Sequence, residues 1–194
     1  MDVPRADDRS PRPGRAGGAE ACGRTSSTRG EAAACGRDEG EGSGVGADLE
    51  RGVGDIRRSD PGFDPVRLSG YTAMTFRDVQ AAWMKGDVAS LRPRVTPEIH
   101  AELEVQCDRL RGSRRSNRVE EIEIRAEITE AWQESGRDYV TAYISGSMVD
   151  YIVDDVSDAL VDGSRTKSRR VEEFWTFTRP AGLNFWMLSD IQTS

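Results

Sequence analysis

Between Gly112 and Asn117 the spacing of the apolar residues changes from steps of three and four to strict alternation. Before the change, Ile99, Leu103, Cys107 and Leu110 recur on one face of a helix. After it, Ile122, Ile124, Ala126 and Ile128 alternate with Glu121, Glu123, Arg125 and Glu127, which predicts a strand with one wet face. A chain that orders helices first and strands second is confined to the α+β class, with its helices on one side of an antiparallel sheet.

The element boundaries carry their own chemistry. Asp64 and Pro65 predict a helix start, because Asp supplies a capping oxygen and proline lacks only an N–H that has no partner in the first turn. Ala73, Phe76, Val79, Gln80 and Trp83 continue that helix to Lys85, and Gly86 ends it. Asp87 caps a short second helix that stops before Pro93. Thr96 and Pro97 open a third, with Glu98 in its first turn and Gly112 beyond its end. Glu134-Ser135-Gly136-Arg137 predicts a hairpin turn, and Tyr139, Thr141, Tyr143 and Ser145 alternate with Val140, Ala142 and Ile144 on the returning strand. Asp154 to Ser168 is expected to be a long polar hairpin loop. Glu172 to Arg179 and Phe185 to Ile191 complete four strands as two aromatic-rich runs. The expected fold is three helices packed on a curved four-stranded antiparallel sheet.

Composition divides the chain near residue 61. The first sixty residues contain twelve of the 20 glycines and, as large apolar residues, only Met1, Val3, Val45, Leu49, Val53 and Ile56. Ordering costs of about 1–2 kcal/mol per residue favour an unstructured Gly/Arg/Ala/Glu-rich segment over residues 1–61, followed by a domain at 62–194. All four Trp, all four Tyr and all five Phe fall in the second part. A net charge of -7, with neither part basic, argues against nucleic acid as a partner. No run approaches the ~20 apolar residues of a membrane span, and no apolar signal core opens the chain, so a cytoplasmic protein is expected, at most peripheral at an inner membrane. One histidine and unpaired cysteine spacings give no metal or disulfide pattern, and no cofactor is implied.

Ala82-Trp83-x-x-Gly86-Asp87, Leu91-x-Pro93-x-x-Thr96-Pro97-Glu98, Asn117-x-x-Glu120-Glu121-Ile122-Glu123-Ile124, Asp150-Tyr151-x-Val153-Asp154 and Glu173-Phe174-Trp175-Thr176-Phe177-x-Arg179 stand in one order, with Trp186-x-Leu188-x-x-Ile191 closing the series. In this the chain resembles the nuclear-transport-factor-like superfamily of cone-shaped folds. Within it, the chain is most similar to bacterial relatives of the C-terminal domain of mitochondrial inner-membrane translocase subunit 44, over Asp64 to Ile191. The resemblance implies a non-enzymatic binding or adaptor domain that engages a membrane surface or a membrane-associated protein partner, linked to protein translocation. Many bacterial members carry an apolar span ahead of a flexible linker, and here only the linker-like part is present. The alternative the superfamily implies is small-molecule binding or isomerase or dehydratase chemistry inside the cone. Asp78 is then the inward acid and Tyr71 the donor to a substrate oxygen.

Three groups of residues are candidates for contact. Phe63, Val66, Leu68, Tyr71 and Met74 either rest on a lipid surface or partner or cover the mouth of the domain itself. Arg109, Arg111, Arg114, Arg115 and Arg118 gather cations at the end of the third helix, for an anionic lipid or acidic surface or simply as helix-end charge. Trp83, Tyr139, Tyr143, Trp175 and Trp186 either line an apolar pocket or form plain core. His100 lies one position off its helix's apolar face and is expected at the surface. An exposed Trp175 or Phe177 would supply the patch for a homodimer through the sheet.

Overall fold

The computed structural model describes residues 42–193 apart from residue 184. Its first element, α1 (Gly42–Ser59), lies inside the segment expected to be unstructured. The glycines that argue against order there are set aside by packing. Leu49, Val53 and Ile56, at steps of four and three, turn one face inward, with Val53 and Ile56 buried. Gly52 meets the sheet directly: a Cβ built on it would lie 1.7 Å from the carbonyl oxygen of Ala131. The helix therefore forms on tertiary contact, which outweighs the weak propensity of its sequence. The remainder of the expected segment, residues 1–41, lies outside the described residues.

The next helix, α2 (Pro65–Lys85), starts as its sequence predicts. The Asp64 side chain accepts from the Val66 N–H, Pro65 occupies the first turn, and Gly86 closes the helix with φ 63°. Asp87 accepts from the Ala89 N–H, but the chain then makes only a single 3-10 turn, Ala89–Leu91, and not a second α-helix. Helix α3 (Pro97–Gly112) comes next, buried through Ile99, Leu103 and Cys107. Thr96 stands at its N-cap without a side-chain capping bond; its backbone N–H instead donates to the Leu188 carbonyl. Glu98 accepts from its own backbone N–H at the positive helix end, which holds its carboxyl below the usual range.

Strands β1 (Arg115–Glu134), β2 (Arg137–Asp154), β3 (Leu160–Pro180) and β4 (Met187–Thr193) form one antiparallel sheet in chain order. The architecture is α+β, three α-helices followed by a four-stranded open sheet. The polar hairpin is mostly strand, with β2 running to Asp154 and β3 beginning at Leu160. Polarity misleads there because β2, paired with β1 on its other edge, brings the apolar residues Val149, Tyr151 and Val153, and the polar start of β3 only adds an edge to them. Bulges bend β1, one of them at Glu121, whose φ is 52°. Just past the bulge, opposite Ile124, Gly146 has φ 152°, and a Cβ there would meet the Glu123 carbonyl at 2.0 Å, so only glycine fits.

The helices cover the sheet face that carries Val140, Ile144, Trp175, Phe177 and Leu188, and these residues pack with Phe76, Val79 and Leu103 as one core. Phe76 and Trp175 lie 5.3 Å apart between ring centres.

Candidate functional site

The face of the sheet turned away from the helices is built from three lateral rows of side chains, each row taking one residue from each strand. Register aligns Trp132, Tyr139, Thr178 and Met187 in the first row, Glu130, Thr141, Thr176 and Asp190 in the second, and Glu127, Tyr143, Phe174 and Gln192 in the third. Residues two apart on a strand share a face, and the bulges keep these twelve in phase. Trp132 and Tyr139 are stacked, 5.1 Å apart and 7° from parallel. Tyr143 and Phe174 lie 5.0 Å apart. The row between is low, because its two central residues are threonines whose hydroxyls bond one another at 3.1 Å.

The result is a trough with aromatic walls, a hydroxyl floor and a carboxylate at each end, enclosing about 670 Å³. Glu130, Trp132, Tyr139, Thr141, Phe174, Thr176, Ser189, Asp190 and Gln192 line it, with no cation and no histidine among them. Arg137 donates to the Thr178 hydroxyl beyond one wall. The Tyr143 hydroxyl donates to Glu172, a bond that pushes the phenol above its usual range.

Of the five expected pocket residues, Tyr139 lines the trough and Tyr143 stands on the same face. Trp175 is 1 % exposed and Trp186 8 %, both on the helix side in the core, and Trp83 packs against that core. Trp175 and Phe177 are thus not an exposed patch; the outward aromatic residue of this run is Phe174. Sequence reasoning missed Trp132, Phe174, Glu130 and Asp190. Trp132 was legible, since a turn at Glu134–Arg137 pairs it with Tyr139; Asp190 was not, because its position depends on a bulge between β3 and β4.

Arg179, Asp138, Tyr71 and Asp78 on the helix side are committed to structure. Arg179, 2 % exposed, donates to Asp138 at 2.8 Å and to Asp60 at 2.9 Å, and its guanidinium lies 4.3 Å from the Trp186 ring centre. Asp138 also accepts from Gln133, whose amide reaches Ser59. This network ties the end of α1 to the sheet. The Tyr71 hydroxyl donates to the Trp186 carbonyl, and burial raises its pKa. Asp78 is ion-paired with Arg94, so Tyr71 and Asp78 each have a structural partner. His100 is buried, not at the surface, and its Nε2 has no hydrogen-bond partner. Among the described residues no group of His, Cys, Asp and Glu is placed to hold a metal.

The second surface is on α2. Phe63 and Leu68 are buried in the core and Tyr71 packs against it, so these three cover the domain itself. Val66 and Met74 point outward, 78 % and 45 % exposed. At about 100° of rotation per residue, Val66, Arg67, Gly70, Met74, Arg77 and Lys85 fall within one arc of about 100° that holds no acid. Beyond the end of α2, Arg111 donates to the Gly86 carbonyl, which brings the last turn of α3 alongside. Arg114 is exposed and Arg115 half-buried where α3 leads into β1, whereas Arg118, exposed and paired with Tyr151, stands on the other face of the sheet. Among the described residues no helix is long and apolar enough to cross a membrane.

A family model described as Tim44-like domain matches residues 49–193. Among solved structures, the intermembrane-space region of the chloroplast protein ARC6 is similar at 10 % identity and a TM-score of 0.39, covering 62 % of this chain and 95 % of that one. The comparison with curated proteins finds no match.

Proposed function

We propose, starting from the fact that this chain belongs to the Tim44-like family, that it is a non-enzymatic docking domain whose helix side rests on an anionic membrane surface. There it serves a membrane-associated protein partner in protein translocation. The observation that carries this reading is the exposed arc of α2, in which two outward apolar side chains, Val66 and Met74, share one face with Arg67, Arg77 and Lys85. Apolar side chains flanked by cations are what an interfacial helix needs, and each cation near an anionic leaflet contributes about 1 kcal/mol. Asp64 and Asp78, the nearest acids, are engaged by the helix cap and by Arg94. Arg114 and Arg115 follow the last turn of α3, which Arg111 holds against the α2 end. Attachment of this kind is peripheral and depends on salt.

A non-catalytic role is supported by the two groups a catalytic reading would use, since Asp78 is held by Arg94 and Tyr71 by the Trp186 carbonyl. Co-sedimentation of the full chain with vesicles tests the reading. Vesicles with one-third anionic lipid are expected to retain the protein at low salt and release it at high salt. The Val66→Asp/Met74→Asp variant and the Arg114→Glu/Arg115→Glu variant should each bind at least tenfold more weakly while melting as the parent does. Equal retention by neutral and anionic vesicles, or full retention of both variants, overturns it.

A further inference from the structure

We propose that the trough on the uncovered sheet face is a second docking site, for an extended, arginine-bearing segment of a protein partner, independent of the helix-side surface. The row Glu130, Thr141, Thr176 and Asp190 puts one residue from each of the four strands across the sheet. Three inter-strand spacings of about 4.8 Å set the two carboxylate positions about 14 Å apart. An extended peptide advances about 3.4 Å per residue, so side chains at its first and fifth positions match that span and point the same way. A helical peptide does not match, because four residues rise only about 6 Å.

The walls specify the cation. Trp132 stacked on Tyr139 stands along one side and Phe174 beside Tyr143 along the other, and in each ring the face not turned to its neighbour is the one a ligand meets. A guanidinium stacks on such faces and pairs with a carboxylate through the same planar fork, which a compact ammonium does less well. The fold already contains this arrangement once, in Arg179 over Trp186 with Asp138 and Asp60 as its carboxylates. In the trough the aromatic and acidic parts are present, and no cation lines it. The Thr141 and Thr176 hydroxyls on the floor supply polar contact to a crossing backbone.

Indole fluorescence and calorimetry of the full chain, titrated with a capped pentapeptide bearing arginine at its first and fifth positions and serine between, test the site. The peptide is expected to bind, to perturb the Trp132 signal, and to weaken with salt. Its citrulline counterpart, the same shape without charge, should bind at least tenfold more weakly. Glu130→Gln/Asp190→Asn should lose at least tenfold, as should Trp132→Leu. Glu102→Gln/Asp108→Asn, which removes as much negative charge from the exposed side of α3, should leave affinity within twofold. Equal loss from both double-charge variants would reduce the effect to net charge and overturn the site. Absence of binding would overturn it as well. So would a dimer dispersed by Phe174→Asp, which assigns the face to a second copy, or binding to phosphatidylcholine vesicles that Trp132→Leu abolishes, which assigns it to a lipid headgroup.

Discussion

At the scale of single residues, glycines decide how α1 meets the sheet. Gly52→Ala would drive a Cβ into the Ala131 carbonyl, and the shift of α1 should cost about 1–3 kcal/mol despite the better helix propensity of alanine. Gly46 and Gly54 have nothing within 4 Å of a built Cβ, so alanine at either should stabilise by up to about 1 kcal/mol. Urea melts of the three variants therefore differ in sign as well as size, and equal effects would remove the close contact. Tyr71 offers a test against pH. Burial raises its pKa in the folded protein, so the neutral phenol stabilises the fold below the unfolded value of about 10, and that stability is lost as pH rises through the folded value. Tyr71→Phe should lose about 1 kcal/mol at neutral pH with the bond to the Trp186 carbonyl, and should show a shallower alkaline decline than the parent. A parallel decline in both would mean that Tyr71 is not the titrating group.

At the scale of elements, the best-determined pieces in the sequence were those with local signals. Asp64-Pro65, Gly86, Thr96-Pro97 and Gly136 place the ends of α2, the start of α3 and the first hairpin because capping and turn chemistry are read within a few residues. Helix α1 was hidden because its glycine content is that of a linker, and the groups that order it lie far along the chain, at Ala131, Gln133 and Arg179. Which residues of β3 face outward is left open by the sequence for a related reason. In the run Phe174-Trp175-Thr176-Phe177 aromatic residues fall on both faces, and only pairing with β2 shows that Phe174 alone of the three is outward. Arg179 joins these elements. Arg179→Met leaves Asp138, which is fully buried, without its cation, and should cost about 3–5 kcal/mol by thermal or urea unfolding. Arg179→Met/Asp138→Leu should recover part of that loss. No recovery would show that the arginine acts through packing on Trp186 and Phe63 instead of through charge.

At the scale of the whole molecule, the sheet separates the exposed arc of α2 from the trough. The helix side exposes apolar and basic groups along α2, and the far side exposes an acidic, aromatic trough. If the α2 arc rests on an anionic surface, the trough stays open on the other side of the sheet, and the exposed acids Glu98, Glu102, Glu104 and Asp108 of α3 leave that arc as the contact. The net charge of -7 alone would oppose an anionic membrane, so the proposed attachment requires that the distribution of charge, and not its sum, decide it. Methyl and indole NMR of the full chain, titrated with vesicles of one-third anionic lipid, tests this most directly. The account predicts that the Val66 and Met74 methyl signals broaden at lipid concentrations that leave the Trp132 indole unchanged. Broadening of Trp132 with Val66 and Met74 unaffected would contradict it.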